Sequence, residues 1–186
     1  NIEALEKGGY PHFMLKEIFE QPESLRNAMR GRLLLSEGNV KFGGLEKFQK
    51  ELKNIKSFTI AAMGTARFTG LIGEYALEEL AGIPAKVEYG SEFAYRESAG
   101  DKNTGLIAIS QSGETADTLN AVKEAKRKGM LTFGIVNVIG ASIARAVDAG
   151  VYNHAGPETR WHLPKHPRLR YCFRLCLRFT SAECGD

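Results

Sequence analysis

The sequence predicts an α/β fold: a doubly wound parallel sheet of five strands behind an N-terminal helical lead-in. Three observations predict it. Short apolar runs at Phe58–Met63, Gly105–Ile109 and Leu131–Val136 have the length of buried strands, and Ala85–Tyr89 reads as a further strand. Stretches with helical spacing, Arg67–Ala81 and Glu114–Lys128, alternate with those runs. Turn residues punctuate the switches, with Gly82-Ile83-Pro84 after one helix and Gly129 after the other.

Taken in order, 1–9 is polar and reads as a linker remnant. His12–Glu20 sets Phe13, Leu15, Ile18 and Phe19 at helical spacing, and Pro22 suits the first turn of a second helix, Glu23–Arg30. Arg32–Gly44 is irregular and glycine-rich. Leu45–Asn54 reads as a helix with Leu45, Phe48 and Leu52 on one face. These residues, 10–56, form the lead-in, and the sheet domain occupies 57–158. Phe58–Met63 is its first strand, Gly64-Thr65 a loop, and Arg67–Ala81 a long helix. Ala85–Tyr89 is the second strand, Ser91–Glu97 a short helix and Gly100–Asn103 a polar turn. Gly105–Ile109 and Leu131–Val136 are the third and fourth strands, joined by Glu114–Lys128. Ala141–Ala146 is a short helix, and Gly150–Tyr152 a weak fifth strand.

The chemistry concentrates after the third strand, in Ser110-Gln111-Ser112-Gly113-Glu114-Thr115. A buried strand, a hydroxyl-rich loop and a helix N-terminus together make an anion site, because the first N–H groups of a helix are unpaired and its dipole is positive there. The loop holds no lysine, which disfavours a triphosphate with magnesium and favours a phosphate monoester held by hydroxyls and amides. Ser110 and Ser112 as plain helix caps would use the same groups, and the residues alone leave both readings open. In a parallel sheet, ligands bind beyond the carboxyl ends of the strands, where Gly64-Thr65 also falls.

The wording of this loop resembles the phosphate loop of sugar isomerase (SIS) domains, a flavodoxin-like fold, and within them the isomerase half of the glucosamine-6-phosphate synthases. Lys16-Glu17-Ile18-Phe19-Glu20-Gln21-Pro22, Met63-Gly64-Thr65, Leu80-Ala81-Gly82-Ile83-Pro84 and Ser91-Glu92-Phe93-Ala94-Tyr95-Arg96 agree with it, and the likeness runs from Tyr10 to Glu158. The resemblance implies that Ser110, Gln111, Ser112 and Thr115 bind the phosphate of fructose 6-phosphate or glucosamine 6-phosphate, and that Gly64 and Thr65 contact the sugar. Ala66 stands where many relatives have serine, which removes one hydroxyl. Gly64 as a turn glycine and Thr65 as a helix cap are the structural alternatives.

By the same resemblance the parent protein makes glucosamine 6-phosphate from fructose 6-phosphate and glutamine, without a cofactor, and its SIS domains pair as a homodimer. Its glutaminase half, second SIS domain and C-terminal lysine have no counterpart here, so the chain is expected to bind without turnover and to contribute no catalytic residue. Glu92 has the chemistry of a general base but reads as a solvated or interface carboxylate, because the family's catalytic glutamate lies in the second SIS domain. His12 and His154 read as structural. A stand-alone sugar-phosphate-binding or regulatory module is the alternative, although no helix-turn-helix is evident.

The chain has 186 residues, 43% of them hydrophobic and 25% charged, which suits one globular domain. A net charge of +3 gives no basis for nucleic-acid binding. No apolar run approaches the roughly 18 residues of a membrane span. The opening Asn-Ile-Glu-Ala lacks the pattern of a signal peptide, so the expected compartment is the cytoplasm.

After Glu158 the character changes, with Trp161, Cys172, Cys176, Cys184 and a run of arginines. His162, His166, Cys172 and Cys176 have zinc-ligand spacing. A frame shift explains the same residues more closely. Reading the last base of each codon with the first two of the next, Arg160 to His166 can spell Val-Ala-Ser-Thr-Lys-Ala, as the resembling family continues. The tail, 159–186, therefore reads as an out-of-frame product with no metal site.

Overall fold

The computed structural model describes residues 7–34, 36–97 and 103–154. The tail 159–186, with His162, His166, Cys172 and Cys176, lies outside the described residues, as do 1–6 and most of the turn at 100–103.

Two helices lead in, α1 (Phe13–Phe19) and α2 (Gln21–Met29), with Pro22 in the first turn of α2 as the sequence predicts. The apolar spacing of α1 does not mark its inner side. Lys16 and Glu17 are its buried residues, while Leu15, Ile18 and Phe19 face outward, and the Phe19 ring stacks on Tyr10 at 5.6 Å. The stretch read as irregular contains a small antiparallel hairpin, β1 (Leu33–Leu34) with β2 (Asn39–Val40), pairing Leu33 with Val40. Beyond it the predicted single helix splits into a 3-10 turn, Glu46–Phe48, and α3 (Gln49–Lys53).

The main sheet is parallel throughout and has the order β4-β3-β5-β6-β7, from β3 (Ser57–Ala62), β4 (Ala85–Tyr89), β5 (Thr104–Ser110), β6 (Leu131–Val136) and β7 (Ala149–Tyr152). The connecting helices are α4 (Gly64–Ala81), α5 (Gly90–Tyr95), α6 (Ala116–Arg127) and α7 (Ser142–Ala146). Alternate residues of the central strands feed two cores. Ile60, Ile107, Ile109, Phe133 and Ile135 pack with Leu77 of α4 and with Val40, Phe42 and Leu45 of the lead-in. Ala61, Leu106, Ala108 and Val136 face Phe93 of α5, Ala121, Val122 and Ala125 of α6, and Ile143 of α7. Burial on both faces is why these strands read as unbroken apolar runs.

The helix ends follow from local chemistry. Gly82, at φ 63°, closes α4 while its N–H reaches Glu78 O and the Ile83 N–H reaches Leu77 O, a paired cap that needs a left-handed residue. On the outer side of the edge strand β4, the amides of Ala85 and Val87 donate to the carboxylates of Glu78 (3.4 Å) and Glu74 (3.1 Å). Four residues of helix rise about as far as two residues of strand, so α4 delivers both acceptors in step with the ladder.

Close backbone contact fixes the lead-in to the other edge. Gly44 lies on the carbonyl of Gly150, and Gly150 lies on Gly134 in the neighbouring strand. The Arg32 guanidinium covers the Phe42 ring and donates to Tyr152 O.

Asp148 ties the start of β7 to β6, its Oδ2 accepting from the Thr132 amide at 2.9 Å and from Thr132 Oγ1 at 2.7 Å. Partial burial pushes the Asp148 carboxyl up, but Lys126 at 2.8 Å and the two Thr132 donors outweigh it and hold its pKa below the ordinary carboxylate value. A depressed folded pKa contributes stability that is present above the unfolded value and disappears as pH falls through the folded one. Asp148→Asn is therefore expected to lower stability at pH 7 by about 1 kcal/mol. Denaturation followed from pH 7 downward should show the gap from the parent chain closing below the ordinary carboxylate pKa.

Candidate functional site

The order β4-β3-β5 makes the chain leave β3 in opposite directions, so the topological switch lies between β3 and β5. Ala62 pairs with Ile109, which sets the ends of the two strands level. A helix begins beyond each.

On the β3 side the loop expected at Gly64-Thr65 is instead the first turn of α4. Gly64 takes φ +53°, which lets the strand turn directly into the helix, and both residues are exposed at the crevice. On the β5 side the helix begins later than the spacing suggests. Thr115 is the N-cap of α6, and Glu114 lies outside the helix. Neither α4 nor α6 has a side-chain cap. Two helix N-termini with uncapped first turns thus flank one crevice.

The hydroxyls of the loop bond within the loop. Ser110 is buried, accepts the Gly113 N–H at 3.0 Å and lies 3.1 Å from Thr115 Oγ1. If Ser110 donates in that pair, the proton of half-exposed Thr115 is left to point into the crevice. Ser112 is exposed and accepts the Glu114 N–H at 3.2 Å, which again leaves its own proton available. Gln111 is half-buried beside it, and its carbonyl accepts the Asn137 N–H. The structure therefore brings Ser110, Gln111, Ser112 and Thr115 into one loop with Gly64 and Thr65 across the switch. Ser110 shapes the loop rather than lining it.

A third segment, which the sequence reading did not place at the site, holds the loop from behind. The Gly113 carbonyl accepts the Ile143 N–H at 2.9 Å, and Glu114 Oε1 accepts the Ser142 N–H at 2.8 Å. The bond to Ser142, together with nearby Arg145, holds the Glu114 carboxyl below its usual pKa, so it stays ionised and turned to α7. Gly113, at φ +69°, packs so closely on Ala141 that a Cβ would collide there. The position of this segment at the carboxyl end of β6 was the available signal.

The other candidates stand apart. Glu92 is exposed on α5, and His12 occupies the N-cap position of α1 without a side-chain bond. His154 lies past β7, three strands from β3, at φ 49°, with its ring 6.1 Å from that of Tyr152. Among the described residues no cluster of three or more His, Cys, Asp or Glu could hold a metal ion, and no helix is long and apolar enough to cross a membrane.

A family model described as the SIS domain matches residues 51–165. The chain is 52% identical over 158 residues to a glutamine–fructose-6-phosphate aminotransferase (isomerizing) of Chlorobaculum tepidum, covering 85% of this chain and 26% of the relative. It is 53% identical over 154 residues to the protein of the same name from Bacteroides thetaiotaomicron, covering 83% and 25%. The C-terminal domain of glucosamine-fructose-6-phosphate aminotransferase from Francisella tularensis superposes with a TM-score of 0.86 at 32% identity, covering 95% of this chain and 49% of that one. The chain thus spans about a quarter of the length of the curated relatives it matches.

Proposed function

The chain belongs to the SIS domain family, and from that premise we propose that it binds the phosphate of a hexose 6-phosphate, fructose 6-phosphate or glucosamine 6-phosphate, between β3 and β5. One observation carries the reading most: two uncapped helix N-termini flank the switch point beside a loop whose Ser112 hydroxyl keeps its donor to spare, as does Thr115 when Ser110 donates to it. The absence of a basic residue from 110–115 fits a monoester held by neutral dipoles rather than a nucleotide triphosphate.

Identity to aminotransferases above 50% supports a place in the synthesis of glucosamine 6-phosphate from fructose 6-phosphate and glutamine. In that reaction this unit holds the sugar, while ammonia supply and proton transfer belong to the rest of the longer protein. Residues 57–158 form the binding domain, 10–56 its lead-in, 1–9 a linker remnant and 159–186 an out-of-frame tail. By the same membership the unit pairs with a second SIS unit.

Calorimetric titration of the chain with fructose 6-phosphate, fructose and MgATP tests the reading. Saturable binding of fructose 6-phosphate alone, in the millimolar range or tighter, is expected. Tighter binding of MgATP, or equal binding of fructose, would overturn it. For the tail, the nucleotide sequence across codons 156 to 170 decides, since it must spell Val-Ala-Ser-Thr-Lys-Ala in the shifted frame.

A further inference from the structure

Backbone contacts already fix the shape of the loop at 110–115. Gln111 O accepts the Asn137 N–H at 3.2 Å, Gly113 O accepts the Ile143 N–H at 2.9 Å, and Gly113 packs against Ala141. A further contact runs through a side chain. Glu114 is exposed and has water available, yet its Oε1 accepts the Ser142 N–H at 2.8 Å. Arg145 stands on the same side, its guanidinium donating to Ser142 Oγ at 3.1 Å and to Gly140 O. Ser142 and, more weakly, Arg145 lower the pKa of the Glu114 carboxyl, so there is a full charge to be placed. With the backbone held by other means, what the side-chain bond adds is the position of that charge.

The position matters because of what lies next to it. Glu114 directly precedes Thr115, the N-cap of α6, and the first turn of α6 has no side-chain cap. Free N–H groups at a helix start attract any anion within reach. Released from α7, the carboxylate would fall back over that turn. There it would take up donors meant for a ligand and repel a phosphate ester. No basic residue lies within 110–115 to offset it.

We propose that Ser142 and Arg145 are positioning residues of the anion site, which park the Glu114 carboxylate on α7 and keep the chain's own anion off the first turn of α6. This rests on the phosphate reading above and deepens it, since the affinity of the site then depends on where one neighbouring charge is held.

Titration of the 186-residue chain with inorganic phosphate and with fructose 6-phosphate, followed by amide NMR shifts, tests it. Ser142→Pro combined with Arg145→Gln releases the carboxylate. Proline removes the donor amide, suits the first position of a helix, and would follow Ala141, whose ψ of 156° is the extended conformation that precedes proline. The release variant is expected to bind both ligands about tenfold more weakly than the parent. Adding Glu114→Gln should restore binding to within about threefold, and its gain should be at least about fivefold larger in the release variant than in the parent. Loss of a mere prop would not be restored, because glutamine finds no donor on the proline nitrogen. Arg145→Gln alone, which leaves the backbone as it is, should show the same pattern at a smaller size. Far-UV circular dichroism should be unchanged throughout. A release variant that binds as the parent does, or a gain from Glu114→Gln that is equal in both backgrounds, would overturn the proposal and leave the phosphate reading standing. A parent chain that binds neither ligand would overturn the phosphate reading, and this proposal with it.

Discussion

Ser112→Ala combined with Thr115→Ala is expected to weaken fructose 6-phosphate binding by about 100-fold or more, with little change in thermal stability. Ser112 accepts within the loop and keeps its proton for the ligand, as Thr115 does when Ser110 donates to it, and hydrogen bonds to a charged group are worth about 1.5–3 kcal/mol each. Stability should hold because neither hydroxyl enters a core: Ser112 is exposed and Thr115 half-exposed. Calorimetry on the double variant, with Glu92→Gln as control, checks this. The exposed Glu92 carboxylate lies on α5, so the control should bind as the parent does. A double variant that keeps the parent affinity would remove the phosphate-loop assignment.

Gly44→Ala is expected to cost about 2–3 kcal/mol of stability. The added carbon would run into the carbonyl oxygen of Gly150, and Gly150 has no room to retreat because it already lies on Gly134. Backbone on both sides removes the relief that a flexible side chain would give. The lead-in hairpin would then have to lift from β7, taking Arg32 away from Tyr152. In urea, the midpoint should fall with an unchanged slope. Gly43→Ala is the matched control: nothing lies within 4 Å of its Cβ position, so its midpoint should move little.

Much of this architecture could be read from the residues, for identifiable reasons. Leu106–Ile109 and Leu131–Val136 announce themselves because both sides of each strand are buried, and Ala85–Tyr89 and Leu131–Val136 keep their predicted limits. The candidate site was legible as two chain segments at one sheet end, since the alternation of strands and helices and the loop chemistry are both local in sequence. What escaped was tertiary. Gly64 and Thr65 are poor helix formers, so nothing local shows that α4 starts there; a left-handed φ makes it possible. Glu114 fits the helical spacing, yet its carboxylate is taken by an amide 28 residues away. In α1 the apolar spacing fixes a stripe but not which side of the helix faces in, and here Lys16 and Glu17 take the inner side.

The two glutamates over β4 join the kinetics of two elements. Ala85 and Val87 sit on an outer strand, whose amides ordinarily exchange with solvent deuterium as fast as the edge frays. Here each donates to a carboxylate carried by α4. Their exchange should therefore track the opening of that helix, at one shared rate, while Thr59 and Ile60 in the strand beneath open more slowly. Strand and helix then behave as a single cooperative unit, and the stability of the sheet margin is set in the helix above it.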